Sequence, residues 1–157
     1  MHSLAIALKE NGHEITGSDD VIFDPSLTQL EKAEICPEPM GWFPEKINNG
    51  LDAVILGMHA KKDNPELLAA QKMNLPIYSY PEFIAYYARH KTRLVIAGSH
   101  GKTTISAMVL HVLNYHQKSV DFMIGAQLEG FENSVSLSEN NEFIILEGDE
   151  YLSSPID

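Results

Sequence analysis

The chain has 157 residues, 44% of them hydrophobic, so it can bury a real core in one ordinary domain or in two incomplete ones. Its 22 acidic and 11 basic side chains give a net charge of -11, and no basic cluster is longer than Lys61-Lys62. This balance argues against a nucleic-acid partner. No apolar run reaches the roughly 20 residues of a membrane span, no signal peptide begins the chain, and the lone Cys36 fits a reducing cytoplasm.

The first ninety residues alternate segments of helical spacing with short apolar runs, as parallel sheets joined by helical crossovers do. Asn11-Gly12 is typical of a helix end, and Asp63 or Asn64 is a good N-cap before Pro65. Polar, basic residues at 89–93 indicate a domain boundary. The pattern predicts helices over 1–10, 25–32, 65–73 and 81–89, strands over 13–20, 51–57 and 76–80, and a short segment over 41–49.

Two side-chain groups of this half invite a functional interpretation. Asp19 lies near the end of the predicted strand over 13–20, and nucleotide-binding α/β domains often contact a ribose through an acidic residue at the end of their second strand. An Asx turn is the structural alternative. The predicted helix over 81–89 carries an aromatic stripe that we interpret as core rather than as a cofactor site. Its apolar members are Phe83, Ile84, Tyr86 and Tyr87.

The segment from Leu94 to Tyr115 is the centre of the chain's chemistry. Leu94–Ala97 predicts a buried strand, Gly98–Thr104 a glycine turn, and the spacing after Ile105 a helix. A strand, a glycine turn and a helix form a phosphate cradle, in which a lysine neutralises outer phosphates and a threonine ligates magnesium. The strict P-loop pattern fails, because Ile96 stands where its first glycine belongs, so a structural turn with an incidental Lys-Thr is the alternative.

The last third of the chain predicts strands over 120–126 and 143–146, with a turn at 127–130. The second strand ends in Glu147-Gly148-Asp149-Glu150. Ligands gather at the carboxyl ends of strands in open α/β sheets, so a carboxylate here is placed to bind the magnesium that Thr103 contacts. A solvated acidic loop is the alternative. The histidine spacing predicts no zinc site.

The Gly-Ser-His-Gly-Lys-Thr-Thr loop and the later Glu-Gly-Asp-Glu together resemble the Mur ligase family, in the family's order. Ser99 replaces the family's usual threonine. The resemblance covers nearly the whole chain, with further matches at Gly17–Asp19 and Asp63–Glu66. It implies an α/β fold in which residues 1–90 form an incomplete Rossmann-like UDP-sugar-binding domain. Residues 91–157 would then begin a P-loop ATPase domain with a mainly parallel sheet.

The resemblance also implies a function, since Mur ligases are cytoplasmic ATP-dependent enzymes of peptidoglycan assembly. They join a carboxylate to an amine through an acyl phosphate, using ATP and Mg²⁺. The implied substrates are UDP-N-acetylmuramate and a peptide; family members that add L-alanine are the near alternative. The implied ATP-binding residues are Gly98, Ser99, His100, Gly101, Lys102, Thr103 and Thr104, with Lys102 catalytic, Thr103 and Glu147 as metal ligands, and Asp19 toward UDP.

Two departures from the family bear on completeness. The chain lacks the opening strand and glycine-rich turn, and it stops at Asp157, before the rest of the ATPase domain. We therefore expect a piece of a longer enzyme, without ligase activity by itself, whose first ninety residues are the less stable half. A different P-loop protein such as a small kinase, and a non-catalytic nucleotide-binding module, are the competing interpretations. The sequence leaves the oligomeric state open.

Overall fold

The structure is a computed structural model that describes residues 1–126, 130–131 and 133–148. It divides into two compact units. The first unit contains Met1–His2 and Ile15–Tyr87, and the second contains Ser3–Glu14 and the described residues from Ala88 onward. The sequence-based division at 90/91 placed residues 3–14 in the first half, whereas their contacts place them in the second unit.

The described residues form five α-helices, two 3₁₀ turns and six strands. The helices are α1 (His2–Glu10), α2 (Ser26–Lys32), α3 (Pro65–Lys72), α4 (Tyr80–Tyr87) and α5 (Lys102–Tyr115), and the 3₁₀ turns are Pro44–Lys46 and Ala88–His90. The strands are β1 (Val54–Leu56), β2 (Ile77–Ser79), β3 (Thr92–Ala97), β4 (Asp121–Met123), β5 (Val135–Ser136) and β6 (Phe143–Gly148). No helix in these ranges is long and apolar enough to cross a membrane.

The first unit is built on a two-stranded parallel sheet, in which Val54 of β1 is paired with Ile77 of β2. Helix α3 begins as expected: the Asn64 side chain accepts hydrogen bonds from the N–H groups of Glu66 and Leu67, and Pro65 is its first residue. This arrangement satisfies two of the donors that a helix start leaves unpaired.

Two expectations for the first unit need correction. Residues 13–20 form no strand, because the described residues offer no ladder partner and Ile15 is the segment's one apolar side chain. The aromatic stripe of α4 is only partly core. Ile84 is 3% exposed, but Tyr86 is 48% exposed and stacks on Tyr78 with ring centroids 5.4 Å apart. The stripe is therefore an aromatic cluster at the surface rather than an interior layer.

The second unit is built on a four-stranded sheet in the order β3-β6-β4-β5. The β3–β6 and β6–β4 pairs are parallel, and the β4–β5 pair is antiparallel. Since most pairs in both sheets are parallel, the expected α/β class is confirmed. The core cluster consists of Leu110, Phe122, Ile124 and Ile145.

Helix α5 follows β3 as the sequence predicts, but β3 is not the buried strand that was expected, since Leu94 is 48% and Val95 54% exposed. The buried face of α5 also differs from the simple apolar pattern. The helix buries Ser106 and Leu110, while Met108 is 63% and Val112 54% exposed. The strands expected over 120–126 and 143–146 are present as β4 and β6, and β5 was not predicted. The expected turn at 127–130 and the last carboxylates of the acidic tetrad, Asp149 and Glu150, lie outside the described residues apart from Gly130.

Candidate functional site

The Gly98–Thr104 loop joins the carboxyl end of β3 to the first turn of α5. Gly101 is the N-cap of α5 and has φ +77°, and Gly98 has φ +154°, a backbone that L side chains rarely adopt. The Ile105 N–H is bonded to the Gly101 carbonyl at 2.9 Å and closes the first turn. The N–H groups of residues 102–104 thus precede the intrahelical ladder at the positive end of the helix dipole, where anions bind.

Lys102 is the first residue of α5, so the expected order of strand, glycine turn and helix is confirmed, and the helix begins three residues before Ile105. Its Nζ donates to the Gly98 carbonyl oxygen at 3.1 Å, which folds the ammonium over the loop. Ser99 and His100 lie in the exposed part of the loop, where Ser99 Oγ and His100 Nδ1 are 3.2 Å apart. The loop therefore carries a cation beside the N–H groups of a helix start, an arrangement suited to a polyphosphate.

The side chains of Thr103, in the first turn of α5, and Glu147, in β6, are in contact. The Thr103 hydroxyl donates to Glu147 Oε1 at 2.5 Å. The register of the parallel β3–β6 pair explains why, because it aligns Ile96 with Glu147 and so places the carboxylate beside the end of β3. Glu147 is 7% exposed, and its second oxygen, Oε2, accepts a hydrogen bond from the Gly125 N–H at 2.6 Å.

A carboxylate and a hydroxyl side by side are hard oxygen donors of the kind that Mg²⁺ prefers. Magnesium is commonly held by one or two protein oxygens together with substrate phosphates and water, so two side chains suffice. The described residues contain no group of three or more His, Cys, Asp or Glu side chains that would form a closed metal site. The donor set therefore fits magnesium bound jointly with a phosphate.

Sequence reasoning missed two glycines of this site. Gly125 orients the Glu147 carboxylate. The sequence feature that could have indicated it is a glycine directly after the apolar run 122–124. Gly148 lies against β3, where an added Cβ would be 3.1 Å from Val95 Cγ1 and 3.2 Å from Ala97 Cβ. A side chain at this position would require Val95 or Ala97 to shift, so glycine favours the close approach of the two strands at this end.

Asp19 lies in the first unit, in an exposed segment without secondary structure. Its side chain accepts a hydrogen bond from the Asp20 N–H at 2.9 Å, and its carbonyl accepts one from the Gly41 N–H at 2.7 Å. Partial burial, and next the hydrogen bond and charge of the adjacent Asp20 carboxyl, raise the pKa of Asp19. These hydrogen bonds are those of a local turn.

These features define an α/β protein in which a strand, a glycine loop and a helix place Lys102 and Thr103 close to the Glu147 carboxylate. Comparison with known families is more specific: residues 1–92 match the family model described as "Mur ligase family, catalytic domain". Since that match covers more than half of the chain, the chain belongs to the Mur ligase family.

Individual relatives agree with this assignment. The chain is 34% identical over 152 residues to the UDP-N-acetylmuramate–L-alanyl-gamma-D-glutamyl-meso-2,6-diaminoheptandioate ligase of Escherichia coli, covering 96% of this chain and 33% of the relative. It is 31% identical over 150 residues to the UDP-N-acetylmuramate–L-alanine ligase of Dictyoglomus turgidum, covering 96% and 32%. The chain thus spans about a third of the length of these curated relatives.

The fold comparison gives a similar result. The crystal structure of the UDP-N-acetylmuramate:L-alanyl-gamma-D-glutamyl-meso-diaminopimelate ligase from Neisseria meningitides superposes with a TM-score of 0.83 at 31% identity. That alignment covers 98% of this chain and 50% of the solved chain. The resemblance inferred from the two motifs is therefore confirmed at the level of family and fold.

Proposed function

We propose that this chain supplies the ATP-phosphate and magnesium site of a carboxylate–amine ligase of peptidoglycan synthesis or recycling. The observation that supports the proposal most directly is the joint placement of three side chains. Lys102 lies over the glycine loop, and Thr103 meets Glu147 across the end of β6. Family membership supplies the reaction class.

Each residue has a distinct role in this proposal. The Lys102 ammonium offsets negative charge on the outer phosphates, and the helix-start N–H groups of Thr103 and Thr104 bind phosphate oxygens. Thr103 and Glu147 hold Mg²⁺, with Gly125 fixing the carboxylate. Bound Mg²⁺-ATP supplies the phosphoryl group that activates a carboxylate toward an amine. The remaining proposed contacts are those of Gly98, Ser99, His100 and Gly101 with the phosphates.

The proposed substrates are UDP-N-acetylmuramate and a peptide whose amino group is joined to it. Both the Escherichia coli relative and the Neisseria structure carry names with this pair of substrates. We propose that the first unit contacts the UDP sugar, with Asp19 as a candidate contact, and that the enzyme is cytoplasmic, without nucleic-acid or membrane partners.

A ligase that adds L-alanine is the second candidate, because the Dictyoglomus turgidum relative is nearly as similar. The two candidate functions can be separated with a full-length enzyme that contains this chain. It would be assayed with L-alanine and with L-alanyl-γ-D-glutamyl-meso-diaminopimelate. The proposal requires ATP-dependent ligation of the tripeptide in preference to alanine. A preference for alanine would instead establish the second candidate.

The phosphate site itself can be tested on the 157-residue chain by titration with Mg²⁺-ATP. Lys102→Ala should weaken binding roughly 10- to 100-fold, because a charge-assisted hydrogen bond contributes about 1.5–3 kcal/mol. Lys118→Ala is the matched control: Lys118 is exposed and lies beyond the end of α5, so its variant should bind like wild type. Equal affinity in the Lys102 and Lys118 variants would contradict the proposal and favour a structural turn.

A further inference from the structure

Helix α1 is a heavily buried element of the second unit. It buries Ser3, Leu4, Ile6, Ala7 and Leu8, whereas the longer α5 buries only Ser106 and Leu110. Burial of this face holds α1 in place. Its two ends also carry polar anchors.

Both anchors reach the segment that contains β5. Ser134 Oγ donates to Ser3 Oγ at 3.0 Å near the start of α1. At the other end, Asn11 Nδ2 donates to the Leu137 carbonyl at 2.7 Å and to the Ala7 carbonyl at 2.8 Å. Val135 and Leu137 are 2% and 7% exposed, so this short segment is held by apolar burial as well as by the two hydrogen bonds.

Strand β5 in turn fixes the carboxyl end of β4. Met123 is paired with Val135, and the Ile124 N–H donates to the Ser134 carbonyl at 3.0 Å, which extends the ladder by one residue. The next residue is Gly125, whose N–H holds Glu147 Oε2 at 2.6 Å. A continuous set of contacts therefore runs from α1 through β5 and β4 to the carboxylate that faces Thr103.

We propose that α1 positions the Glu147 carboxylate, with Ser3 and Asn11 acting as positioning residues for the candidate metal site. A parallel sheet fixes the backbone of β6 but not the rotamer of Glu147. That rotamer is held by the Thr103 hydroxyl and the Gly125 N–H, and the position of Gly125 depends on where β5 holds β4. The part of this inference that concerns metal affinity rests on the function proposed above.

The test uses the ¹⁵N-labelled 157-residue chain with Ser3→Ala and Asn11→Ala, each of which removes one anchor. Glu10→Gln is the matched control, because Glu10 is the exposed residue of the same helix. The first readout is the Gly125 amide proton, whose resonance reports its hydrogen bond to Glu147. The second is the affinity for Mn²⁺-ATP, with Mn²⁺ replacing Mg²⁺ as the probe.

We expect the Gly125 resonance to move upfield in both anchor variants, since its bond to the carboxylate lengthens, and to stay in place in Glu10→Gln. Mn²⁺-ATP affinity should fall roughly threefold to tenfold, less than the 10- to 100-fold typical when a direct outer-shell partner is lost. Two variants at opposite ends of α1 guard against one of them failing to fold.

The outcomes separate this inference from the proposed function. Anchor variants that are less stable in urea but keep the wild-type Gly125 resonance would overturn the inference, because α1 would then be a purely structural element. If wild type binds no Mn²⁺-ATP, the proposed function fails, and the Gly125 resonance still decides whether α1 positions Glu147.

Discussion

At the scale of single residues, two positions of the candidate site are tightly constrained by backbone geometry or hydrogen bonds, whereas a buried serine one helical turn away is poorly satisfied in hydrogen bonding. Gly101 needs positive φ, and Glu147 is held through both oxygens. Ser106, one turn after Lys102, is fully buried, and its hydroxyl has no hydrogen-bond partner among the described residues. An unsatisfied buried hydroxyl costs about 1–3 kcal/mol.

We therefore predict that Ser106→Ala stabilises the second unit by about 0.5–2 kcal/mol, since alanine removes this cost and favours the helix. Urea denaturation, together with amide hydrogen exchange of β6, measures this change in the free energy of unfolding. Ser134→Ala is the control, because Ser134 Oγ donates to Ser3 and its loss should not stabilise. Destabilisation by Ser106→Ala would indicate that the hydroxyl has a function that its contacts do not show.

The position of the Gly98–Thr104 loop between a strand and a helix could be predicted from sequence because its glycines act through local backbone geometry. The position of Glu147 could be predicted because an apolar run delivers it to a strand end. The phosphate and metal contacts of these residues stay predictions. Gly125 and Gly148 could not, since their roles depend on which strands become neighbours, a property that one sequence does not encode locally. The ribose role of Asp19 stays a prediction.

At the scale of elements, a local capping signal predicted the start of α3, which Asn64 caps as expected. Helix α4 follows a capping box in which the Ser79 N–H donates to Glu82 Oε2 at 2.7 Å and the Glu82 N–H is 3.4 Å from Ser79 Oγ. The strand expected over 13–20 is not formed, because a strand needs a partner strand and the local sequence does not supply one.

The capping box gives a pH-dependent prediction. Hydrogen bonds from Ser79 lower the pKa of Glu82 below its ordinary 4.5, so its ionised form stabilises the folded state above about pH 4.5. Glu82→Gln should reduce stability by about 0.5–1 kcal/mol at pH 7, a capping-scale effect. The difference should shrink as pH falls through the lowered folded pKa.

Urea midpoints of wild type and Glu82→Gln at pH 7 and at pH 3.5 test this sign. Glu45→Gln is the matched control, because Glu45 is exposed and lies in a 3₁₀ turn of the same unit. A Glu82→Gln effect that is equal at both pH values would mean that the carboxylate charge contributes nothing to the cap.

At the scale of the whole molecule, the chain contains two units with separate sheets. The second unit has an ionic centre, formed by Lys91 and Asp121, at the starts of its strands. This is the end of the sheet opposite the Gly98–Thr104 loop. Lys91 Nζ lies 2.9 Å from Asp121 Oδ2 and donates to the carbonyls of Ser138 and Asn141 at 2.7 and 2.6 Å. Asn141 Nδ2 also donates to Asp121 Oδ1 at 2.8 Å.

This ionic centre yields a prediction about the independence of the units. The side chains of Lys91 and Asp121 are 9% and 0% exposed, so Lys91→Met would leave a buried carboxylate without its cation, at a cost of about 3–5 kcal/mol. Amides of β4 and β6 should lose exchange protection, while those of β1 and β2 keep theirs, because local stability follows the contacts of each unit. Lys72→Met, at an exposed position on α3, should change neither sheet. Equal loss of protection in both sheets would show that the two units unfold as one cooperative body.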